Sequence, residues 1–416
     1  RDLHSFPTRR SSDLTNAVKR KLFFPSNFWW GAAYASHQVE GNNTNNNWWR
    51  WEKQGGAVES SARACDSWHL FRRDHDLAEE LGLKAFRLSL EWSRIEPKEG
   101  KFNKAAVEHY RTVLKDLKRR NIKTVVTLWH WTLPLWLVDK YGGWHNKNSV
   151  NFFVRYCKKV VKELGEEIDL FLILNEPNIP LSKGYLNAEH PPGKRNPWLF
   201  WRATKNMIQA YNRCYNETKK IQPSLLTGFT HHVSEFVTLH KFPGAQWLVK
   251  KIGDYFNWHF YLKIGGKFDF VGLNYYTGHE LQLKKPFNKP RSESVIFSDM
   301  GWSFSPRGIY EIIMEAKKKF PQKPIYILEN GAADAEDKIR AEYIQGHLKW
   351  IYRAIKEGAD VRGYFYWSLL DNFEWQAGFG PRFGLCEMDY KTMERKPRKS
   401  FYYYQKVIKE NGIEAC

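Results

Sequence analysis

The 416-residue chain predicts one closed barrel of eight parallel strands, the (β/α)8 or TIM architecture. Three observations predict it. Eight short apolar runs recur along the chain, each followed by a polar or helical stretch. The segments between them carry apolar residues at helical spacing. No Gly/Ser-rich linker, composition shift or short repeat divides them. Strand and helix alternating in this way form a parallel sheet covered by helices, and eight repeats close it.

The expected strands are residues 28–35, 84–90, 122–130, 168–175, 225–231, 269–275, 324–329 and 361–368. Helices are expected over 66–81, 107–120, 150–164, 197–221, 306–320 and 341–357. The first carries Trp68, Phe71, His75, Leu77 and Leu81 on one face; the second carries Tyr110, Val113, Leu114 and Leu117. The domain is expected to span 21–416. Residues 1–20 are set apart as a non-native, unpacked leader, because Arg1 to Leu14 resembles translated sequencing-adapter DNA.

Bulk composition narrows the function classes. A 42% hydrophobic fraction is ample for a core, and 19 Trp within a 16% aromatic fraction suit the faces of sugar rings as well as packing. Net charge is +20, but the Lys and Arg residues are scattered along helix-like segments, so nucleic acid is not the expected partner. Five cysteines (Cys65, Cys157, Cys214, Cys386, Cys416) show no CxxC or metal-ligand spacing, which fits a reducing, cytoplasmic setting. No apolar run has the length of a membrane span. Neither a phosphate-cradling Gly motif nor a GxSxG elbow is present. No cofactor or metal is expected.

In this architecture the C-terminal strand ends build the active site. The first run leads to Gln38 and Glu40, and the second contains Arg87. The third ends at His130 and Trp131, the fourth at Asn175-Glu176, the sixth at Asn274 and Tyr276, and the seventh at Glu329. The eighth delivers Trp367, then Glu374 and Trp375. The fifth offers only His231 and His232, which receive no role. Amides, carboxylates and indoles at seven of eight ends suit a neutral polyol.

The motifs Phe28-Trp29-Trp30-Gly31-Ala32-Ala33, Gln38-Val39-Glu40-Gly41, Phe86 to Arg94, Asn175-Glu176-Pro177, Asn274-Tyr275-Tyr276, Glu329-Asn330-Gly331 and Tyr366 to Trp375 resemble glycoside hydrolase family 1 in order and spacing. The resemblance covers roughly residues 23–410. It implies a retaining exo-β-glycosidase acting on small neutral β-glucosides or β-galactosides, with Glu329 as nucleophile and Glu176 as acid and base. The two carboxyls would stand about 5–5.5 Å apart. Burial and a negative Glu329 would keep Glu176 protonated. Arg87 and Tyr276 would hold Glu329; Gln38, His130, Trp131, Asn175, Asn274, Trp367, Glu374 and Trp375 would bind the sugar. A non-catalytic glycan-binding relative and a transglycosylase are the alternatives. Intact Glu374 and Trp375 argue against phosphorylated sugars. Two departures stand out: Leu328 where the family usually has Thr, expected to alter hydrogen bonding of the nucleophile, and an Asn- and Trp-rich stretch at 42–51, expected at the substrate entrance.

Overall fold

The eight runs pair edge to edge, and the last returns to the first. In this computed structural model, which describes residues 21–240, 243–281, 288–290 and 296–415, the barrel strands are β1 (Trp29–Ala33), β2 (Ala85–Ser89), β3 (Lys123–Thr127), β4 (Leu170–Asn175), β5 (Leu226–Val237), β6 (Val271–Leu281), β7 (Ile325–Asn330) and β8 (Val361–Trp367). All neighbours are parallel. Tyr364 opposite Trp30 and Trp367 opposite Ala33 join β8 to β1 and close the ring. The proposed leader lies outside the described residues.

The covering helices are α1 (Ser67–Glu80), α2 (Lys104–Arg119), α3 (Asn148–Leu164), α4 (Pro197–Ile221), α5 (Ala245–Lys263), α6 (Pro306–Lys319), α7 (Arg340–Lys356) and α8 (Lys399–Glu410). Local chemistry sets their starts. The Asn103 side chain accepts from the Ala106 N–H at the head of α2, and Asn196 accepts from Trp198 and Leu199 with Pro197 in the first turn of α4. α5 and α8 are additional to the six helices expected. α5 buries Val249, Trp258 and Phe260 while exposing Trp247, Leu248, Ile252 and Leu262, so its sequence shows no one-sided period.

Bulky residues fill the barrel interior: Val125, Leu170, Leu172, Phe270, Tyr326, Leu328 and Phe365 are buried against one another. Gly31 makes room for one of them, since a Cβ there would lie 2.3 Å from the Phe365 ring. Each such burial contributes about 1.5–3 kcal/mol. The packed interior leaves no room for a ligand inside the barrel, so the strand ends above it carry the site.

β5 and β6 run past their expected ends at 231 and 275. Their ladder continues through Glu235↔Gly278, Phe236↔His279 and Val237↔Glu280 after a register shift. Polar Ser234, Glu235 and Thr277 interrupt the apolar pattern there, which hid the extension. Cys65, Cys157, Cys214 and Cys386 are buried and unpaired. No described helix is long and apolar enough to cross a membrane.

Candidate active site

A cavity of about 360 Å³ opens at the C-terminal ends of the strands, within the range of small-molecule sites. Ten of the twelve predicted residues line it: Gln38, His130, Trp131, Asn175, Glu176, Tyr276, Glu329, Trp367, Glu374 and Trp375. The other two, Arg87 and Asn274, are buried and bond to the two carboxylates.

Bulges aim the carboxylates. Ile327 pairs with Leu273 and Tyr364, but the next partners are Glu329 opposite Asn274 and Asn330 opposite Tyr366, one residue out of step on both sides. An extra residue of this kind re-aims a side chain. Leu328 packs into the barrel interior, and Glu329, the very next residue, lines the cavity above it. A similar shift in β4 lies between Leu172 and Asn175. Backbone strain collects here: Glu176, Trp131 and Trp375 have φ of 43°, 76° and 54°, a region costly for non-glycine residues and typical of functional positions.

Glu329 is held on both oxygens. Arg87 Nη1 donates to Oε1 at 2.5 Å and the Tyr276 hydroxyl to Oε2 at 2.6 Å. The Leu328 carbonyl accepts from the same Arg87 Nη1 at 3.1 Å. The expected effect of Leu328 on nucleophile hydrogen bonding is therefore corrected: both Glu329 oxygens are taken by other groups, and Leu328 acts through packing. Burial, chiefly, and the Glu176 charge raise the Glu329 carboxyl to about 7 against the pull of Arg87 and Tyr276. Burial and the neighbouring Glu329 charge likewise keep the Tyr276 phenol neutral.

Glu176 has different company. Asn274 Nδ2 donates to its Oε1 at 2.8 Å, and His232 Nδ1 lies 3.4 Å from the same oxygen. Burial pushes Glu176 up most strongly. His232, then Asn274 and Arg87 together outweigh it and hold the carboxyl below its ordinary value. Burial and the Glu329 charge alone would give the opposite direction, the one expected from the sequence; His232, Asn274 and Arg87 reverse it.

Asn175 ties the site together. Its Oδ1 accepts from Arg87 Nη2 at 2.7 Å, Thr230 Oγ1 at 2.6 Å and Asn274 Nδ2 at 3.2 Å, and its Nδ2 donates to His130 Nε2 at 3.0 Å. Burial, with Arg87 nearby, holds His130 well below its ordinary pKa, so the ring is neutral. With Nε2 accepting, its proton sits on Nδ1, which has no described partner. Trp131 Nε1 donates to the Asn175 carbonyl at 3.1 Å.

Trp375 is wedged from behind. His37 stacks on it at 5.8 Å and 16°, Trp48 packs at 4.6 Å, and His37 is itself bonded to Glu52 at 2.8 Å and to Asn46. The Asn- and Trp-rich stretch thus folds inwards as a brace for Trp375, with Trp48 buried, instead of standing only at the entrance. Gln38 Nε2 donates to Glu374 Oε2 at 3.2 Å, while its Oε1 is buried without a protein partner. Gly331 permits close approach: a Cβ there would meet the Trp367 carbonyl at 1.8 Å.

Burial first, then the charges of Glu329 and Glu176, raises Glu374 to about 8. A carboxyl raised in the folded state contributes stability that is complete below its unfolded value and lost as pH climbs through the folded one. The window here runs from about 4.5 to about 8. The melting temperature of Glu374→Gln minus that of wild type should therefore grow by about 3 °C or more between pH 5 and pH 8 in thermal unfolding. A constant difference would remove Glu374 from the pH dependence.

Sequence reasoning missed His232, Phe256, His279, Met300 and Trp302, all lining the cavity. The His232 signal was present but ambiguous, since adjacent His231 and His232 must point to opposite faces. His231 turns outward and bonds to the Phe256 carbonyl at 2.9 Å.

Comparison with known proteins agrees with this geometry. The model of glycosyl hydrolase family 1 matches residues 20–260 and 256–413. A β-glucosidase A from Thermotoga maritima is 33% identical, with 94% of this chain and 99% of the relative covered. The solved β-glycosidase from Pyrococcus horikoshii superposes with a TM-score of 0.90 at 37% identity, covering 95% and 97% of the two chains. A β-glucosidase from T. maritima in complex with glucoimidazole gives 0.89 at 30%, covering 94% and 100%. With carboxylates, amides and indoles on the strand ends where that fold keeps its chemistry, the chain belongs to glycosyl hydrolase family 1.

Proposed function

We propose that this protein is a cytoplasmic, retaining exo-β-glycosidase that releases terminal non-reducing β-D-glucosyl or β-D-galactosyl units from small neutral glycosides. One observation carries the reading: two buried carboxyls share one pocket with different partners. Glu329 receives two strong donors, the surroundings of a carboxylate nucleophile. Glu176 receives donors on Oε1 only, which leaves Oε2 for an exchangeable proton.

The two carboxyls share one proton, and the reactive state is the one that carries it on Glu176 Oε2: in the first step Glu329 then attacks the anomeric carbon as Glu176 protonates the departing oxygen. The glycosyl-enzyme forms as the glycosidic bond breaks. In the second, Glu176 takes a proton from water, which displaces Glu329 and restores the β configuration. Esterification removes the Glu329 charge, which makes Glu176 the only ionised carboxylate of the pair. Asn175 keeps one Nδ2 proton for a sugar hydroxyl, and His130 offers Nδ1–H. Gln38 and Glu374 supply a bare carbonyl and a neutral carboxyl, and Trp367 and Trp375 cover the ring. The four buried, unpaired cysteines support a reducing compartment.

The bound T. maritima relative carries glucoimidazole, which supports a gluco-configured glycone here. A panel of nitrophenyl β-glucoside, β-galactoside, β-fucoside, β-mannoside and 6-phospho-β-glucoside tests the reading. The glucoside or galactoside should lead. Turnover of none, or preference for the phosphorylated sugar, would refute it. The neutral state of Glu374 below about pH 8 makes that last comparison decisive, because charge repulsion alone would not exclude a phosphate there.

A further inference from the structure

His232 has no place in the roles above, yet it is in direct contact with Glu176. Nδ1 lies 3.4 Å from Oε1, the oxygen that Asn274 already binds. Packing holds the ring there. Its face lies near the Tyr276 ring at 6.1 Å and 17°, its edge meets Phe256 at 5.9 Å and 89°, and Asn178 Nδ2 donates to its carbonyl at 3.0 Å. The other ring nitrogen, Nε2, is 3.4 Å from Ser234 Oγ.

That arrangement fixes what the ring presents. Nδ1 faces a carboxylate oxygen, so the neutral imidazole that bonds to it carries its hydrogen on Nδ1, and Nε2 is then the acceptor for Ser234 Oγ. The imidazolium points the same hydrogen with a full charge behind it. In both states the carboxylate form of Glu176 gains a donor that the protonated form uses less well.

We infer that His232 is a positioning residue that stabilises ionised Glu176, orients its free Oε2 and thereby sets the alkaline limit of the glycosylation step. This rests on the reading of Glu176 as the acid. An acid that ionises readily gives up its proton readily to a departing alkoxide and supplies a ready carboxylate for the second step.

The other charged and titratable neighbours of Glu176 are engaged elsewhere, neutral or opposed. Arg87 acts on Glu176 in the same direction, but it is engaged with Glu329 and Asn175. Glu329 on β7 and Glu374 beyond β8 oppose ionisation of Glu176, and Glu374 is largely neutral below about pH 8. On β5 and β6, burial holds His231 and His279 at about 4, so both remain uncharged. Tyr276 is neutral, and Lys183 at the cavity wall acts on Glu374. Among the described residues, His232 is the imidazole that touches the acid.

The test is the pH profile of kcat/KM for phenyl β-glucoside, whose leaving group needs a proton, in wild type, His232→Asn, His232→Gln and Glu176→Ala. Loss of His232 raises the affinity of Glu176 for its proton, so the alkaline limb should move up by about 0.5–1 pH unit in both His232 variants. With dinitrophenyl β-glucoside, which leaves unaided, their kcat/KM should stay within about threefold of wild type. A limb that stays in place or moves down overturns the inference. So does an equal loss on both substrates, the mark of a purely structural role. If Glu176→Ala retains the wild-type limb, the assignment of the acid fails as well. If that variant loses the limb while the His232 variants keep it unmoved, this inference alone fails.

Discussion

Glu329→Ala lowers kcat for nitrophenyl β-glucoside about 10⁵-fold, and azide restores part of it with an α-glucosyl azide as product. The magnitude is that of losing a nucleophile while binding groups remain. The stereochemistry follows from the site. With Glu329 gone, azide fills the vacated volume and attacks the same face once, inverting the anomeric centre. Arg87 keeps its bonds to the Leu328 carbonyl, Thr127 and Asn175, so the floor of the pocket survives. Glu329→Gln serves as a second variant that leaves an acceptor for Arg87. Wild-type turnover in either, or a β-azide from Glu329→Ala, would move the nucleophile elsewhere.

Glu176→Ala separates substrates by leaving group. For phenyl β-glucoside kcat/KM should fall about 10²–10⁴-fold, the usual worth of a general acid. For dinitrophenyl β-glucoside it should fall less than about tenfold, because that phenolate departs without help. Turnover of the latter should then stall at the glycosyl-enzyme, whose water has lost its base. Azide needs no base, so it should restore kcat and yield a β-glucosyl azide, the opposite anomer from the Glu329 variant. Equal losses on both substrates would place Glu176 in binding instead of proton transfer.

Both carboxylates were legible because each closes an apolar run that β propensity and period mark as a strand. Gln38, His130, Trp367 and Trp375 follow strand ends in the sequence, and the family resemblance is what implies that they bind the sugar. What the pattern could not show was orientation at the bulges. Leu328 and Glu329 break the alternation of a regular strand: one packs in the barrel interior and the other lines the cavity. Ordinary alternation does not give this arrangement. His231 and His232 obey alternation, but parity alone does not say which faces the pocket. The direction of the Glu176 shift depended on that missing contact. Helix α5 escaped because it is apolar on its exposed face as well as its buried one.

The closure of β8 on β1 also bears on how a ribosome must make this molecule. Ala33 and Val361 stand roughly 330 residues apart, so at about 5–20 residues per second the first strand waits on the order of 15–65 s for its second partner. Throughout that interval a nascent chain carries an open edge at Trp29–Ala33 and an uncovered apolar sheet. Edges of that kind recruit other chains. Holding factors that protect the growing polypeptide should therefore matter more for its yield than for its final stability.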